Sequence, residues 1–463
     1  MSCPVKHVEE PPAASQADRG LRRELSLLDS TMVNMGSMIG SGIFLVPATV
    51  AMYLPSAPGI VLVWVAGGII SLFGALSIAE LGAMYPHAGG QYIYLERAYG
   101  PLWGFLYGWS AFTVIMSASI SAVAVGFATY LAFFLPLSAL GIKLVAIVSI
   151  ILLTAVNTLG VRAGARIQNM LTFLKVAMLG ALIVLSFVLK GDAMHTSLSS
   201  GAQASPQHFS GSLGLALVAI LWAYDGWLEI TYVAGEVKNP QRNLPRAIIL
   251  STAGVMLIYG LVNLAYVSLL PIATLSTSTF VAADAATAMI GPFGASIAVI
   301  GVIIATLGTN NGFILTGARI YYAMASERMF FRSFADIHPR FRTPVPSLIG
   351  QGVWACLLVL SGTFDQLITY VIFASWIFYG MAAGAVIVLR NKAPHLPRAY
   401  TSWGYPFTTV IFIAFSLYLV VNTLMENPRD ALIGLSIILL GVPAYAYWNR
   451  KKRLSEGRGV LRA

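Results

Sequence analysis

Met38-Ile39-Gly40-Ser41-Gly42-Ile43-Phe44 sets two glycines and a serine in the middle of an apolar segment covering about 27–54. A second interruption, Trp222-Ala223-Tyr224-Asp225-Gly226-Trp227, puts an acid and a glycine at similar depth in the apolar segment at about 213–234. Ten further apolar segments follow the same pattern, at about 58–85, 101–134, 139–158, 167–189, 246–270, 294–323, 346–362, 366–389, 406–425 and 431–449. Each suits a membrane crossing, which takes about 20 apolar residues as a helix. Lipid offers no partners to a bare backbone, so only helices or closed barrels can span it, and strand-like alternation over ten residues is absent. The expectation is an all-α polytopic membrane protein with twelve transmembrane helices. The second break begins five helices after the first. Five is odd, so a second five-helix unit starting there runs inverted. Paired broken helices in two inverted halves point to a transporter's binding site.

Composition agrees. Of 463 residues, 57% are hydrophobic and 10% charged, against roughly 25% charged in ordinary globular chains, and the mean hydropathy is +0.78. A secreted domain, a nucleic-acid binder and a large soluble enzyme are excluded. The net charge of +10 is explained by topology. Of the 28 Lys and Arg, 23 fall in alternate connecting segments and the tails, while the opposite loops hold only Lys143, Lys190 and Arg429. By the positive-inside rule both termini are cytoplasmic. Residues 1–25 form a polar, Pro-containing tail without the apolar core of a signal peptide. The remaining units are a first five-helix repeat at 26–190, a second at 211–390, two helices within 405–449 and a basic tail at 450–463. Two cysteines, Cys3 and Cys356, make neither a disulfide framework nor a CxxC metal site.

The first break exposes backbone N–H groups at the start of a half-helix, where the helix dipole favours an anion such as a carboxylate. Gly40 and Gly42 keep side chains out of the way and Ser41 adds a hydroxyl. Gly36 and Gly40 also fit a GxxxG packing face, and the motif alone is equally consistent with packing. The second break supplies unwound carbonyls near Trp222 and Asp225 that accept from a cation. Together the breaks read as a clamp for a zwitterion. Asp225 at the start of a half-helix is equally a good N-cap. Trp222, Tyr224 and Trp227 suit either a gate or plain packing. Lys175 lies deep in the fifth helix, too far from either end to snorkel, and an intramembrane lysine is costly enough to imply a partner or cavity. It reads as a fixed cation in place of a transported Na⁺, or as a titrating group. Arg319 and Glu80 lie near helix ends and read as structural. All six histidines fall in tails or loops, so no metal or cofactor site is expected.

With these residues assembled, the chain resembles the amino acid–polyamine–organocation superfamily, in its L-type amino acid transporter branch, from about residue 21 to 450. The first break from Gly36 to Phe44 looks like the family's first-helix signature. Ala79-Glu80-Leu81-Gly82, then Pro86, Gly89-Gly90 and Tyr92, resemble its second-helix and re-entrant loop pattern, and Gly235-Glu236-Val237-Lys238-Asn239-Pro240 the end of its sixth helix. The sixth-helix run at 222–227 is similar to that of bacterial serine/threonine exchangers and of the light chain of the cystine and dibasic amino-acid exchanger. That light chain also has a run like Phe373-Ala374-Ser375-Trp376-Ile377-Phe378-Tyr379-Gly380.

The resemblance implies a LeuT-like 5+5 inverted repeat plus two C-terminal helices, and Na⁺-independent amino-acid exchange at the plasma membrane. It further implies that substrate carboxylate meets Gly40, Ser41 and Gly42, and that ammonium meets carbonyls of Met38, Trp222 and Asp225. Trp222 would be the gate, with Ile115, Ser119, Phe373 and Trp376 setting side-chain selectivity. Lys175 would bridge Gly36 and Thr309. Heteromeric light chains of this branch carry a cysteine between helices three and four. Here that loop is Leu135-Pro136-Leu137-Ser138-Ala139, so no disulfide-linked heavy chain is expected. Expected partners are small amino-acid substrates and the bilayer. An embedded enzyme would need convergent titratable groups, which the helices lack, and a transporter-derived sensor would need signalling domains. A proton-coupled symporter is the rival within transport.

Overall fold

The computed structural model describes residues 20–199, 209–361 and 364–460. Most of the expected N-terminal tail (1–19), the end of the C-terminal tail (461–463) and Cys3 lie outside these residues. The order of helices is α1 Leu27–Met38, α2 Gly42–Tyr53, α3 Ala57–Met84, α4 Gln91–Tyr99, α5 Pro101–Ser110, α6 Met116–Leu131, α7 Ala139–Thr158, α8 Val161–Ser199 and α9 Phe209–Ala223. There follow α10 Pro240–Leu269, α11 Ile272–Thr277, α12 Val281–Ile290, α13 Pro292–Ser326, α14 Val345–Ser361, α15 Phe364–Lys392, α16 Phe407–Glu426 and α17 Pro428–Val460. Among the described residues the only β pairing is an isolated bridge between Leu25 and Val237.

Ten of these helices, counting α1–α2 and α5–α6 as one each, are long and apolar enough to cross a membrane. Two other expected spans occur as shorter apolar helices, Leu213–Ala223 and Val345–Ser361. The sixth is short because the chain leaves α-geometry at the second break and resumes as a 3-10 stretch, Glu229–Glu236. The third is continuous but carries a π-helical insert, Ala111–Ile115, between α5 and α6. At its C-terminal end α17 stays helical to Val460, beyond the expected limit of 449.

Local sequence explains the boundaries. Ser26 and Asp29 form a reciprocal capping box at the head of α1: Asp29 Oδ2 accepts from Ser26 N at 2.8 Å and Ser26 Oγ accepts from Asp29 N at 3.2 Å. Proline sits at or next to the first position of α3, α5, α10 and α13, where its missing N–H costs nothing. Lipid-facing and inward surfaces separate cleanly within α8. Phe173 is 66% exposed, while Lys175, two residues on, is 0% exposed. The most enclosed spans are Leu27–Tyr53 and Pro101–Leu131; Ala139–Thr158 and Val161–Leu189 lie at the periphery.

Charges near the helix ends are paired. Arg319 of α13 donates to Glu236 through Nε (2.9 Å) and Nη2 (3.2 Å), with both side chains fully buried. Glu80 of α3 accepts from Arg390 at 2.6 and 2.9 Å and from the Ser402 N–H at 2.7 Å. Both residues are structural in the way the sequence suggests. The segment before α1 is clasped to the end of the sixth span: Glu24 N and Leu25 N donate to Glu236 O at 2.8 and 2.9 Å, and Lys238 N donates to Leu25 O at 2.8 Å.

Candidate functional site

The two breaks lie against each other. A Cβ added at Gly42 would stand 2.6 Å from Ala223 Cα, and one added at Gly226 would stand 3.0 Å from the Ser37 carbonyl carbon. Gly226 also has φ +101°, a region that L side chains rarely occupy. Glycine is required at both places, at the first by close approach and at the second by backbone conformation as well.

Between α1 and α2 the helical ladder is interrupted. Gly40 N donates to Met38 O (2.9 Å), and Phe44 N and Leu45 N both donate to Ser41 O at 3.1 Å. Among the described residues no backbone carbonyl accepts from the N–H groups of Ser41, Gly42 or Ile43. Ser41 Oγ is buried and has no hydrogen-bond partner. Three N–H donors and a hydroxyl at the head of the twelve-residue α2 thus converge with the positive end of its dipole, the arrangement that holds a carboxylate.

Opposite them, the Asp225 carboxyl accepts through Oδ1 from Tyr379 Oη (2.6 Å) and from Gly226 N (2.9 Å). Asp225 N donates to Trp222 O at 3.1 Å. The space between the breaks is about 30 Å³ and is lined by Met38, Gly40, Ser41, Gly42, Ser119, Trp222, Asp225 and Thr309, together with Ser37, Ala122, Val123, Ala223, Phe313 and Val371. That volume is about one water's share of liquid. The space is too small for an amino acid, which fits only if the walls move.

Four expected site residues lie elsewhere. Tyr224 turns away and donates to Trp64 O at 3.1 Å, packing with Trp64 and Tyr259. Trp376 packs on Tyr379 and Phe412, and Phe373 lies beside Gly434. Ile115 belongs to the π-insert, where its carbonyl accepts from Ser119 Oγ at 2.6 Å. A helix offers several faces, and sequence spacing does not say which one looks inward. Met38 O, expected to receive an ammonium, already accepts from Tyr259 Oη (2.8 Å) and Gly40 N (2.9 Å), so its lone pairs are used.

Lys175 reaches from α8 into the first break. Its Nζ donates to Gly36 O and Ile39 O at 2.7 Å each and to Ala305 O at 3.2 Å, with Thr309 Oγ1 at 3.4 Å. Thr309 Oγ1 is also 3.0 Å from Gly36 O and 2.9 Å from Ile39 O. The ammonium therefore joins two carbonyls freed by the unwinding, Gly36 O and Ile39 O, to Ala305 O of the unbroken α13, an oxygen cage suited in kind to a small monovalent cation.

Three contributors escaped the sequence reading. Asn34 of α1 donates to Trp227 O (2.7 Å) and Ser251 Oγ (2.8 Å) and accepts from Ile230 N (3.1 Å), tying the first helix to the second break. Tyr259 spans both breaks through Met38 O and Ala223 O (3.2 Å). Tyr379 holds Asp225. An asparagine inside an apolar helix was a visible signal; the two tyrosines had none, because tyrosine is equally at home in packing.

The Amino acid permease family model matches residues 25–443. The serine/threonine exchanger SteT of Bacillus subtilis is 33% identical over 95% of this chain and 99% of its own length. The large neutral amino acids transporter small subunit 2 of Mus musculus is 34% identical over 94% of this chain and 83% of its own. The b(0,+)-type amino acid transporter 1 of the same species is 32% identical over 92% and 88%. These relatives are transporters, not enzymes, and with many apolar helices this chain is a multi-pass membrane protein of the same kind. It belongs to the amino acid permease family.

Proposed function

We propose that the protein is a Na⁺-independent exchanger of small neutral L-amino acids, working by alternating access in the plasma membrane with both termini cytoplasmic. Its twelve spans form a LeuT-like inverted pair of five-helix units, 26–190 and 211–390, followed by two helices. The observation that carries this reading is the pairing of unmet donors at Ser41, Gly42 and Ile43 with acceptors at Trp222 and Asp225 across one narrow space. Substrate carboxylate docks on α2, and ammonium on the second break, with Trp222 as gate. Lys175 supplies the positive charge that a co-transported Na⁺ would bring. The walls away from the clamp are small or apolar (Ser119, Ala122, Val123, Phe313, Val371) and favour a short, uncharged side chain. The protein works without a disulfide-linked heavy chain: Cys356, half-buried, is the free cysteine among the described residues.

Counterflow in proteoliposomes tests this. Vesicles loaded with serine, threonine or alanine should take up labelled substrate much faster than empty ones, with no change when Na⁺ is replaced by choline. Equal uptake into loaded and empty vesicles overturns exchange.

Asp225 serves the break first and the substrate second, since Tyr379 and Gly226 already bind its carboxyl. Asp225→Asn keeps size and an acceptor oxygen but removes the charge. Charge-assisted hydrogen bonds contribute roughly 1.5–3 kcal/mol and neutral ones about 1. The expected result is a rise in KM of about twofold to thirtyfold for neutral substrates with exchange retained. Selective loss of arginine or lysine exchange would instead assign Asp225 to dibasic recognition.

A further inference from the structure

Glu229 lies one turn beyond Asp225, at the head of the 3-10 stretch, and is 3% exposed. Among the described residues no Lys or Arg pairs with it. The nearest arginine along α13, Arg319, is engaged by Glu236 and by Leu315 O at 2.6 Å. The backbone does not compensate the charge either. The N–H groups of the first turn are spent elsewhere: Glu229 N on Gly226 O (3.2 Å), Ile230 N on Asn34 Oδ1 (3.1 Å) and Thr231 N on Leu228 O (2.9 Å).

The partner of Glu229 Oε2 is the Thr316 hydroxyl of α13. That hydroxyl also lies 2.9 Å from Gly312 O, the usual acceptor one turn back. A hydroxyl has one proton to give and lone pairs to accept with. If it serves Gly312 O, the contact with Glu229 is filled only when the carboxyl brings a proton of its own. The other titratable groups around it repel a negative charge or are neutral: Asp225 from the break, Tyr107 from α5, Tyr232 from its own stretch, Tyr321 from α13 and Tyr379 from α15. Tyr107 and Tyr232 bond to each other at 2.6 Å. A buried carboxylate with neither cation nor N–H donors is costly, and protonation removes the cost.

We propose that Glu229 is a proton-binding site that holds one proton while the 229–236 stretch packs on α13 at Thr316, and releases it to water when that contact opens. The chemistry is a single proton taken onto Oε2 and returned, with no other bond made or broken. Because the walls of the substrate site must move for an amino acid to enter, and Glu229 shares a short segment with Asp225, the proton is bound and released within the transport cycle. This last step rests on the exchange reading above, whereas protonation in the closed state does not.

Infrared spectroscopy of the purified full-length protein in lipid nanodiscs separates the two. At neutral pH a carboxylic-acid C=O band is expected, absent in Glu229→Gln, displaced in Glu229→Asp and retained in Asp225→Asn. Glu96, held up to about 8 by burial and by nearby Glu327 at the cytoplasmic end, contributes a second such band, which Glu96→Gln identifies. In proteoliposomes, wild-type turnover should fall several-fold as pH rises past the titration of Glu229, and Glu229→Gln should flatten that profile. A band unchanged in both Glu229 variants overturns the proton site. A band that disappears with the pH profile unaltered overturns release during the cycle.

Discussion

Lys175→Ala is expected to lower amino-acid exchange about a hundredfold or more while leaving folded protein in the membrane. The ammonium donates to Gly36 O, Ile39 O and Ala305 O. Truncation strips these carbonyls of their cationic donor; Ala305 O keeps its place in the ladder of α13, and Thr309 Oγ1 can satisfy only one of Gly36 O and Ile39 O. Each buried acceptor left unmet costs roughly 1–3 kcal/mol, and every 1.4 kcal/mol is about tenfold in an equilibrium constant. The break is where the carboxylate donors are aimed, so this energy appears as lost geometry at Ser41 and Gly42. The fold should survive because α8 stays tied to α1 and α13 by other contacts: Asn169 donates to Asp29 (2.6 Å), Thr172 to Met32 O (3.1 Å) and Asn311 to Gln168 (2.8 Å). Counterflow activity alongside gel filtration of the variant checks both halves of the expectation. Normal transport by Lys175→Ala would make the lysine a structural strut only.

The second large effect is on stability. Arg319→Ala should destabilise the protein by about 3–5 kcal/mol, the usual cost of removing one partner from a buried ion pair. It leaves Glu236 without its guanidinium donors at full burial, and Glu236 O also anchors the Glu24–Leu25 segment. Loss of folded yield and a much lower thermal midpoint in detergent are the readouts. A double variant, Arg319→Met with Glu236→Leu, should recover a good part of the loss, because two apolar side chains of similar volume remove both desolvated charges. If the double variant is as unstable as the single one, the pair acts through geometry rather than charge.

Helix positions were largely legible in the sequence because in lipid only helices or closed barrels satisfy the backbone, and long apolar runs without strand alternation then fix the element. The break in the sixth span was legible as well, since Gly226 and Asp225 interrupt an otherwise apolar run; that the helix ends there and resumes as a 3-10 stretch was not. The buried roles of Arg319 and Glu80 could be anticipated from the cost of a charge near a helix end. What the sequence left open was the direction of side chains. Trp376 and Tyr379 lie three residues apart on one helix, yet Tyr379 reaches Asp225 and Trp376 packs on Phe412.

The sequence by itself determined the helical membrane architecture, the two breaks and the presence of a costly cation at Lys175, because composition, glycine spacing and charge burial are properties of single segments. Only the tertiary structure decided which carbonyls Lys175 fills, that Met38 O is already occupied by Tyr259, and that Glu229 faces a hydroxyl with no Lys or Arg paired to it among the described residues. These are relations between helices more than a hundred residues apart in most cases. They depend on the rotation of each helix about its own axis, which packing against all its neighbours sets at once and which no single segment encodes.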